Sequence, residues 1–346
     1  MGATKPITIV GGGLAGLTLG IALRRRGIPV TLFEVKPYPR HRVCGEFISG
    51  RGLSILDRFG LAKPAFAAGA QLARSVVLHW AGGISPARHL PAPALSISRY
   101  ELDALLARVF VAAGGDLCHH RWRGGFDREG LVCAAGRVPH TAEGGWRWFG
   151  LKVHATGVEL AADLELHARS DGYVGLSRLS GGRTNVCGVF RRRAGQPQGP
   201  VEWRQVLSGP AGTRLHQVLK RAELVEGTFC SVAGLNFPRA LPMPDGTMRI
   251  GDALAMIAPA TGNGMSMAFE SAELALSPLV QYSLGQRSWA QAQALVAQGC
   301  RDLFSSRLLW GQRLQRLLLF RLLPGSLAGA LLSSTKVWQV FVQHTR

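Results

Sequence analysis

A glycine-rich turn near the start of the chain constrains its fold more than any other feature. Ile7, Ile9 and Val10 form a short apolar run of strand character, followed at once by Gly11-Gly12-Gly13-Leu14-Ala15-Gly16. This places G-x-G-x-x-G on Gly11, Gly13 and Gly16. A helical run from Leu14 to Arg25 follows, with Leu17, Ile21 and Ala22 inward, and Gly27 ends it. Val30, Leu32 and Phe33 make a second strand that closes on Glu34, with Val35 beside it. Each glycine has a separate task. Gly11 permits the tight turn, Gly13 lets a pyrophosphate approach the backbone, and Gly16 lets the helix pack on the strand. The helix N-terminus, at Leu14 and Ala15, offers N–H groups and partial positive charge to phosphate. Glu34 follows at about twenty residues, where a carboxylate takes ribose hydroxyls. Strand, glycines, helix, strand and terminal acid together predict a dinucleotide-binding βαβ unit.

Length and charge narrow the class further. A chain of 346 residues is long enough for two domains. Its 47% hydrophobic content and mean hydropathy of +0.13 argue against disorder. The formal charge of +19 invites an acidic partner, but the excess is nearly all arginine and is spread along the chain. No metal-finger spacing or aromatic sheet motif accompanies it, so sequence-specific nucleic-acid binding is not expected. The six cysteines (Cys44, Cys118, Cys133, Cys187, Cys230, Cys300) lack C-x-x-C pairing, which predicts reduced thiols, no zinc framework and a cytoplasmic location. The N-terminus enters the first strand directly, and no uncharged apolar run reaches the ~18 residues of a spanning helix.

Along the chain, Lys36-Pro37-Tyr38-Pro39-Arg40-His41-Arg42 is a proline-broken basic loop leading to Val43-Cys44-Gly45-Glu46. A helix is expected near 53–59, short strands with turns over 73–98, and an amphipathic helix over 100–113 opened by Ser98-Arg99. Strands near 115–119 and 130–134 end at Cys133-Ala134-Ala135-Gly136-Arg137. Runs at 149–155, 163–168, 172–176 and 184–190 predict a meander. Helix is expected at 202–223, strand at 227–234 and 248–253, a long helix at 264–284, and further helix over 287–346.

Taken together, these stretches resemble the flavoprotein monooxygenase superfamily, with its aromatic hydroxylases, flavin-dependent halogenases and geranylgeranyl reductases. The likeness rests on the N-terminal glycine unit with Glu34, on Arg42-Val43-Cys44-Gly45-Glu46, on Arg99, and on Gly251-Asp252-Ala253 followed by Pro259-Ala260-Thr261-Gly262-Asn263-Gly264-Met265. It implies an α/β fold: a Rossmann-like FAD-binding domain with an inserted β-sheet substrate domain and a helical C-terminus. The corresponding boundaries are 1–72, 99–147 and 235–285 for FAD binding, 73–98 and 148–234 for the substrate domain, and 286–346 for the C-terminal region. By this resemblance Asp252 holds the ribityl chain, Arg99 reaches the FAD, and Arg42, Gly45, Ala135, Gly136, Gly251, Pro259, Gly262, Gly264 and Met265 border the cofactor. Reduced flavin is anionic, and N–H groups at Gly264 and Met265 suit it.

The departures matter as well. Where nicotinamide-using hydroxylases carry Asp-Gly, this chain has Ala135-Gly136-Arg137, so NAD(P)H is expected at most as a transient reductant, with a separate electron donor as the alternative. The halogenase lysine has no counterpart beyond Lys63, and Trp146-Arg147-Trp148-Phe149-Gly150 lacks the halogenase Ile-Pro end.

Catalytic candidates are Cys44, Glu46, Lys152 and His154, with His167 and Tyr173 as further groups turned toward substrate. Lys152 and His154 alternate on one strand face, which leaves two readings, a solvated outer face and a polar group turned to substrate. Glu46 is expected to serve as a proton donor or as a hydrogen-bond anchor, its pKa raised by partial burial. Scarce acids on apolar strands predict a hydrophobic substrate such as a polyketide, an isoprenoid or an alkylated aromatic. The Leu- and Arg-rich run 308–324, with Arg307, Arg313, Arg316 and Arg321, has three readings: packing on the sheet, a cap on the cavity, or peripheral membrane contact. Monooxygenation leads among the activities. Reduction of carbon–carbon double bonds follows, and a basic binding protein with a vestigial flavin site comes last.

Overall fold

The structure is a computed structural model that describes residues 4–80, 83–139, 145–195, 202–243, 245–319 and 334–345. In chain order its strands are β1 (Ile7–Val10), β2 (Val30–Phe33), β3 (Phe47–Ile48), β4 (Gln71–Trp80), β5 (Gly83–Ile84), β6 (Arg88–Ser96), β7 (Asp116–Cys118), β8 (Leu131–Cys133), β9 (Trp146–Thr156), β10 (Leu164–Ala168), β11 (Gly172–Arg178), β12 (Thr184–Arg193), β13 (Glu223–Leu224), β14 (Cys230–Leu235) and β15 (Met248–Arg249). The helices used below are α1 (Leu14–Arg24), α2 (Gly52–Arg58), α3 (Ala62–Ala67), α4 (Arg99–Ala112), α5 (Trp203–Ser208), α6 (Arg214–Leu219), α7 (Gly264–Ser283) and α8 (Trp289–Leu318).

A five-stranded sheet runs β15-β8-β1-β2-β7, and each pairing is parallel. Parallel strands are covered on both faces, which is why β1 and β8 are almost wholly apolar and buried. Helix α1 fits closely because it carries small residues where neighbours approach: a side chain at Gly20 would meet the Phe110 ring of α4 at 2.8 Å. The core of this layer runs from Ile7, Ile9, Leu17 and Ile21 through Phe110 to Phe269 of α7.

A ten-stranded mixed sheet forms the second layer, in the order β13-β9-β12-β11-β10-β4-β6-β3, with β14 on β9 and β5 on β4. It gathers the expected strand segments, but it also takes Phe47–Ile48, which lie in the stretch expected to belong to the first domain. Its strand β4 starts at Gln71, two residues before the expected boundary at 73. One face packs on α5 and α6 through Leu151, Val153, Val174, Leu176 and Val186. The other face meets the segment 41–48 and the C-terminal helices.

Two element expectations need correction. The single helix at 202–223 is two short ones, α5 and α6, because Gly209 adopts a φ of 73° and Pro210 follows it. The strand at 248–253 stops at Arg249, since Gly251 turns left-handed (φ 60°) and opens a 3-10 turn whose first N–H goes to Ser271 Oγ at 2.9 Å. The described part of the stretch expected to be helical over 287–346 is helical: it holds α8, capped by reciprocal Ser288–Gln291 bonds, and a helix Thr335–Thr345. Phe320, Arg321, Leu322, Leu323 and Pro324 lie outside the described residues. Helix α8 is held by Arg307, buried, whose Nη1 donates to both carboxylate oxygens of Glu270 on α7 at 2.9 Å. That contact removes Arg307 from any lipid-facing role. No helix among the described residues is long and apolar enough to cross a membrane.

Candidate functional site

The glycine turn separates into packing and binding positions. A side chain on Gly11 (φ 112°) would strike the Ala134 carbonyl oxygen at 2.1 Å, and one on Gly16 would strike the Gly11 carbonyl oxygen at 2.0 Å. At Gly13 nothing lies within 4 Å of an added Cβ. Gly13 is therefore not required by the protein's own packing, and the open space beside it fits a ligand brought against the backbone. The same openness recurs at Gly45 and Gly136, whereas an added Cβ at Gly264 would be 3.9 Å from Ile257. Asn263 forms no side-chain cap on α7, so its side chain does not occupy the first N–H groups at Gly264 and Met265.

Glu34 ends β2 with its carboxylate fixed. Gly12 N and Lys36 N donate to its oxygens at 3.0 Å, and Arg40 pairs with it at 2.8 Å. Burial alone would raise its pKa, but the Lys36 N–H and the Arg40 and Arg42 guanidinium groups hold it below the usual value. It is an anionic acceptor beside the glycine turn, as adenosine ribose requires. Neighbouring Val35 is exposed.

Arg42 and Arg99 converge on Asp103, a residue the sequence reading missed. Arg99 donates through Nε and Nη2 at 2.6 and 2.8 Å, and Arg42 through Nε at 3.0 Å. The signal was available, since Asp103 lies one helical turn beyond Arg99 on α4. Asp252 has a different character. It makes no hydrogen bond or ion pair among the described residues, and it stays open to solvent while enclosed by protein. That enclosure raises its pKa, opposed by Arg99, Arg42 and Arg137. A partnerless carboxylate inside a cleft fits the hydroxyls of a ribityl chain, and the residues present fit FAD as a whole.

The four catalytic candidates lie together where the sheet meets the segment 41–46. Glu46 is fully buried and sits at a positive φ of 53°. Its Oε2 is 2.7 Å from His154 Nε2, its Oε1 is 3.4 Å from Lys152 Nζ, and Arg99 N donates to Oε1 at 2.9 Å. Lys152 Nζ also lies 3.1 Å from His41 Nδ1, and both Lys152 and His154 are fully buried. The solvated outer face proposed for them is therefore wrong. Burial on its own would raise the Glu46 pKa, but His154, Lys152 and the Arg99 N–H hold it below the carboxylate range. This corrects the expected rise in its pKa and favours the second of the two expected roles, that of an ionised hydrogen-bond anchor. His41 is pushed down to about 4 by burial and by Lys152 and His154, so it is a neutral acceptor at physiological pH.

Two further bonds complete the clamp. Ser177 Oγ donates to Gly45 O at 2.8 Å and Asn185 Nδ2 to Cys44 O at 3.0 Å. Neither residue was singled out in the sequence, because each is a lone polar residue in a strand and acquires its role only through sheet register. The Cys44 thiol is pushed up by burial, partly offset by Arg99, and Glu46 N donates to its sulfur at 3.4 Å.

Beside this clamp lies a cavity of about 140 Å³. Gly45, Phe47, Leu78, Leu166 and Val189 line it from the sheet side, Pro259 to Gly262 at the turn before α7, and Leu314, Leu318 and Trp338 from the C-terminal helices. Tyr173 and Cys187 also face it, whereas Cys44, Glu46, Lys152 and His154 do not. His167 is another correction: it pairs in register with Val174 of the opposite, α5–α6 face. The Leu314 and Leu318 contacts show the α8 end of the C-terminal run covering this cavity.

Comparison with known proteins agrees with this geometry. Residues 4–121 match the family described as FAD binding domain. Kynurenine 3-monooxygenase of Dictyostelium discoideum is 42% identical over 60 residues, a match spanning 16% of this chain and only 13% of that protein. Among solved structures, the flavin-dependent brominase Bmp2 has a TM-score of 0.75 at 18% identity, covering 98% of this chain and 92% of its own. A geranylgeranyl bacteriochlorophyll reductase-like protein of Thermoplasma acidophilum has a TM-score of 0.72 at 17% identity, covering 99% and 96%. PqsL of P. aeruginosa, solved with 2-aminobenzoylacetate, has a TM-score of 0.69 at 17% identity, covering 91% and 97%. Residues 4–121 of this chain thus match an FAD binding domain, its cofactor is FAD, and the whole chain has the fold of these solved structures.

Proposed function

We propose that the chain is an FAD-dependent oxidoreductase, and specifically a monooxygenase that hydroxylates or oxidatively tailors a hydrophobic small molecule such as a polyketide, an isoprenoid or an alkylated aromatic. The observation that carries this reading is the apolar cavity, walled on one side by Gly45 and the Pro259–Gly262 turn that also border the cofactor space. Bound FAD supplies electron acceptance and oxygen activation. The protein supplies position and dryness. Leucines and Trp338 exclude water, and among the described residues Arg88 is the only charged side chain lining the cavity. Tyr173, its hydroxyl donating to Gln315 Oε1 at 3.4 Å, is a polar group able to orient a substrate oxygen. The Glu46 clamp holds the Cys44-Gly45 backbone in place at the cavity edge.

Electrons are expected from transiently bound NAD(P)H or from a separate donor. Arg137 donates to Gly234 O at 3.0 Å, and no acid stands at the position where Asp-Gly would assist a nicotinamide. Direct reduction by NADPH alone should therefore be slow, and a bound substrate or electron donor should accelerate it. The excess positive charge supports weak, salt-sensitive association with anionic lipid as a peripheral contact.

A second reading, reduction of a carbon–carbon double bond, is favoured by Cys44, a protonated thiol beside Arg99 at the edge of the cleft. Anaerobic reduction followed by oxygen mixing separates the two. Oxygen uptake coupled to product carrying an added oxygen atom supports the monooxygenase; saturated product formed without oxygen refutes it. Fast substrate-free reduction by NADPH would refute the expected dependence on substrate or donor.

A further inference from the structure

The cavity beside the clamp is small for several of the apolar substrates named above, and its walls differ in how firmly they are placed. An apolar cavity of about 150 Å³ takes a single benzene ring, and this one measures about 140 Å³. On the sheet side, Leu164 stands opposite Val76 and Leu166 opposite Leu78, so strand pairing sets their positions. Leu314 and Leu318 belong to α8, which the buried Arg307–Glu270 pair ties to α7. Trp338 differs. It comes from the helix Thr335–Thr345 and packs into two separate apolar groups, Phe47, Val76 and Leu90 on one side and Leu78 with Leu318 on the other.

We propose that Trp338 is the residue that sets the size of substrate this cavity admits, limiting it to one six-membered ring with small substituents. Resting on the reading of this cavity as the substrate site, the limit favours a small alkylated aromatic over a fused-ring polyketide or a long isoprenoid. The indole is held where it stands. The Arg88 guanidinium lies over its ring, 5.3 Å from the centroid, and Arg88 itself is in register with Val76 on the neighbouring strand. At the far end of the same helix, Asn263 Nδ2 donates to Thr345 O, and the Trp310 and His344 rings pack with centroids 4.5 Å apart. The helix is thus fixed beyond the indole as well as at it. Val337 and Val342 also face the cavity from this helix, but neither joins the two apolar groups as Trp338 does.

The sign of the size preference reports whether this wall acts. In an apolar site with room to spare, each added carbon strengthens binding by about fourfold. In a filled one the same carbons force side chains off their rotamers and weaken it. Replacing Trp338 with alanine opens the space of an indole while leaving the sheet and α8 walls in place.

The test is equilibrium dialysis of full-length, FAD-loaded protein against phenol and 1-naphthol, one ring and two. Both are uncharged at neutral pH, so Arg88 does not sort them by charge. Wild type should bind phenol at least ~10-fold more tightly than 1-naphthol, and W338A should reverse that order by a similar factor, as size discrimination in apolar pockets allows. W338F, with a single ring at this position, should fall between them, and it decides if W338A does not fold. A wild type that prefers 1-naphthol overturns the proposal, as does a ratio in the folded variant equal to that of wild type. Absence of binding of either compound to wild type and variant overturns it too. Oxygen incorporation is measured separately. A size switch in protein that never oxygenates supports the role of Trp338 and refutes the monooxygenase, whereas oxygenation with an unchanged size preference does the opposite.

Discussion

Replacing Glu46 with glutamine tests the clamp at its centre. The carboxylate is fully buried, 2.7 Å from His154 Nε2 and 3.4 Å from the equally buried Lys152 ammonium. Glutamine keeps the shape and one acceptor for Arg99 N, but it leaves the ammonium with His41 Nδ1, 3.1 Å away, as its near partner. Breaking one side of a buried ion pair costs about 3–5 kcal/mol, and the retained acceptor puts this case near the lower end. For a chain of this size that is a fall in melting temperature of roughly 5 °C. Urea unfolding of the FAD-loaded protein measures it, and E46Q/K152M should recover part of the loss because the stranded charge goes with its partner. Glycine is a useful contrast. It relieves the positive φ at position 46, worth about 1 kcal/mol, but it deletes the carboxylate, so E46G should still be less stable than wild type. The pH dependence has a definite sign. The folded Glu46 pKa lies below its unfolded value, so its contribution is fully present above about pH 4.3 and is lost as pH falls through the folded pKa. E46Q should therefore flatten the acid limb of stability. A cost below ~1 kcal/mol, the range of exposed pairs, together with an unchanged acid limb, would refute the idea that an ionised Glu46 holds the segment.

Other outcomes follow from the same geometry. Gly13→Val should fold normally and lose FAD, whereas Gly11→Val should also lose stability, because its side chain meets the Ala134 carbonyl at 2.1 Å; melting curves and flavin content distinguish them, and full flavin in G13V would sink the binding assignment. Asp252→Ala should leave melting of the apoprotein within about 0.5 kcal/mol and weaken FAD binding by roughly 10- to 100-fold, the worth of a hydrogen bond to a charged group, as read by flavin titration. Arg307→Met strands the buried Glu270 carboxylate and should cost about 3 kcal/mol in urea unfolding, with Arg51 at 4.0 Å giving only partial relief.

The sequence by itself determined the cofactor domain. A tight turn beside a pyrophosphate has local requirements, so Gly11, Gly13, Gly16 and Glu34 reveal it through spacing alone, and apolar periodicity marks β1, α1 and α4. Element breaks were legible only in part. Gly209-Pro210 splits the helix expected at 202–223, but the left-handed Gly251 ends a strand because of Ser271, twenty residues away. Tertiary structure decided the rest of the site. Lys152 and His154 alternate on a strand whichever face is wet, and only the placement of segment 41–46 against β9 makes them partners of Glu46. That contact reverses the expected direction of the Glu46 pKa, since burial raises it while a lysine and a histidine more than one hundred residues away lower it further. The pairing of His79 with His167 likewise comes from β4 lying parallel to β10, across 88 residues of chain, a register that no local pattern encodes.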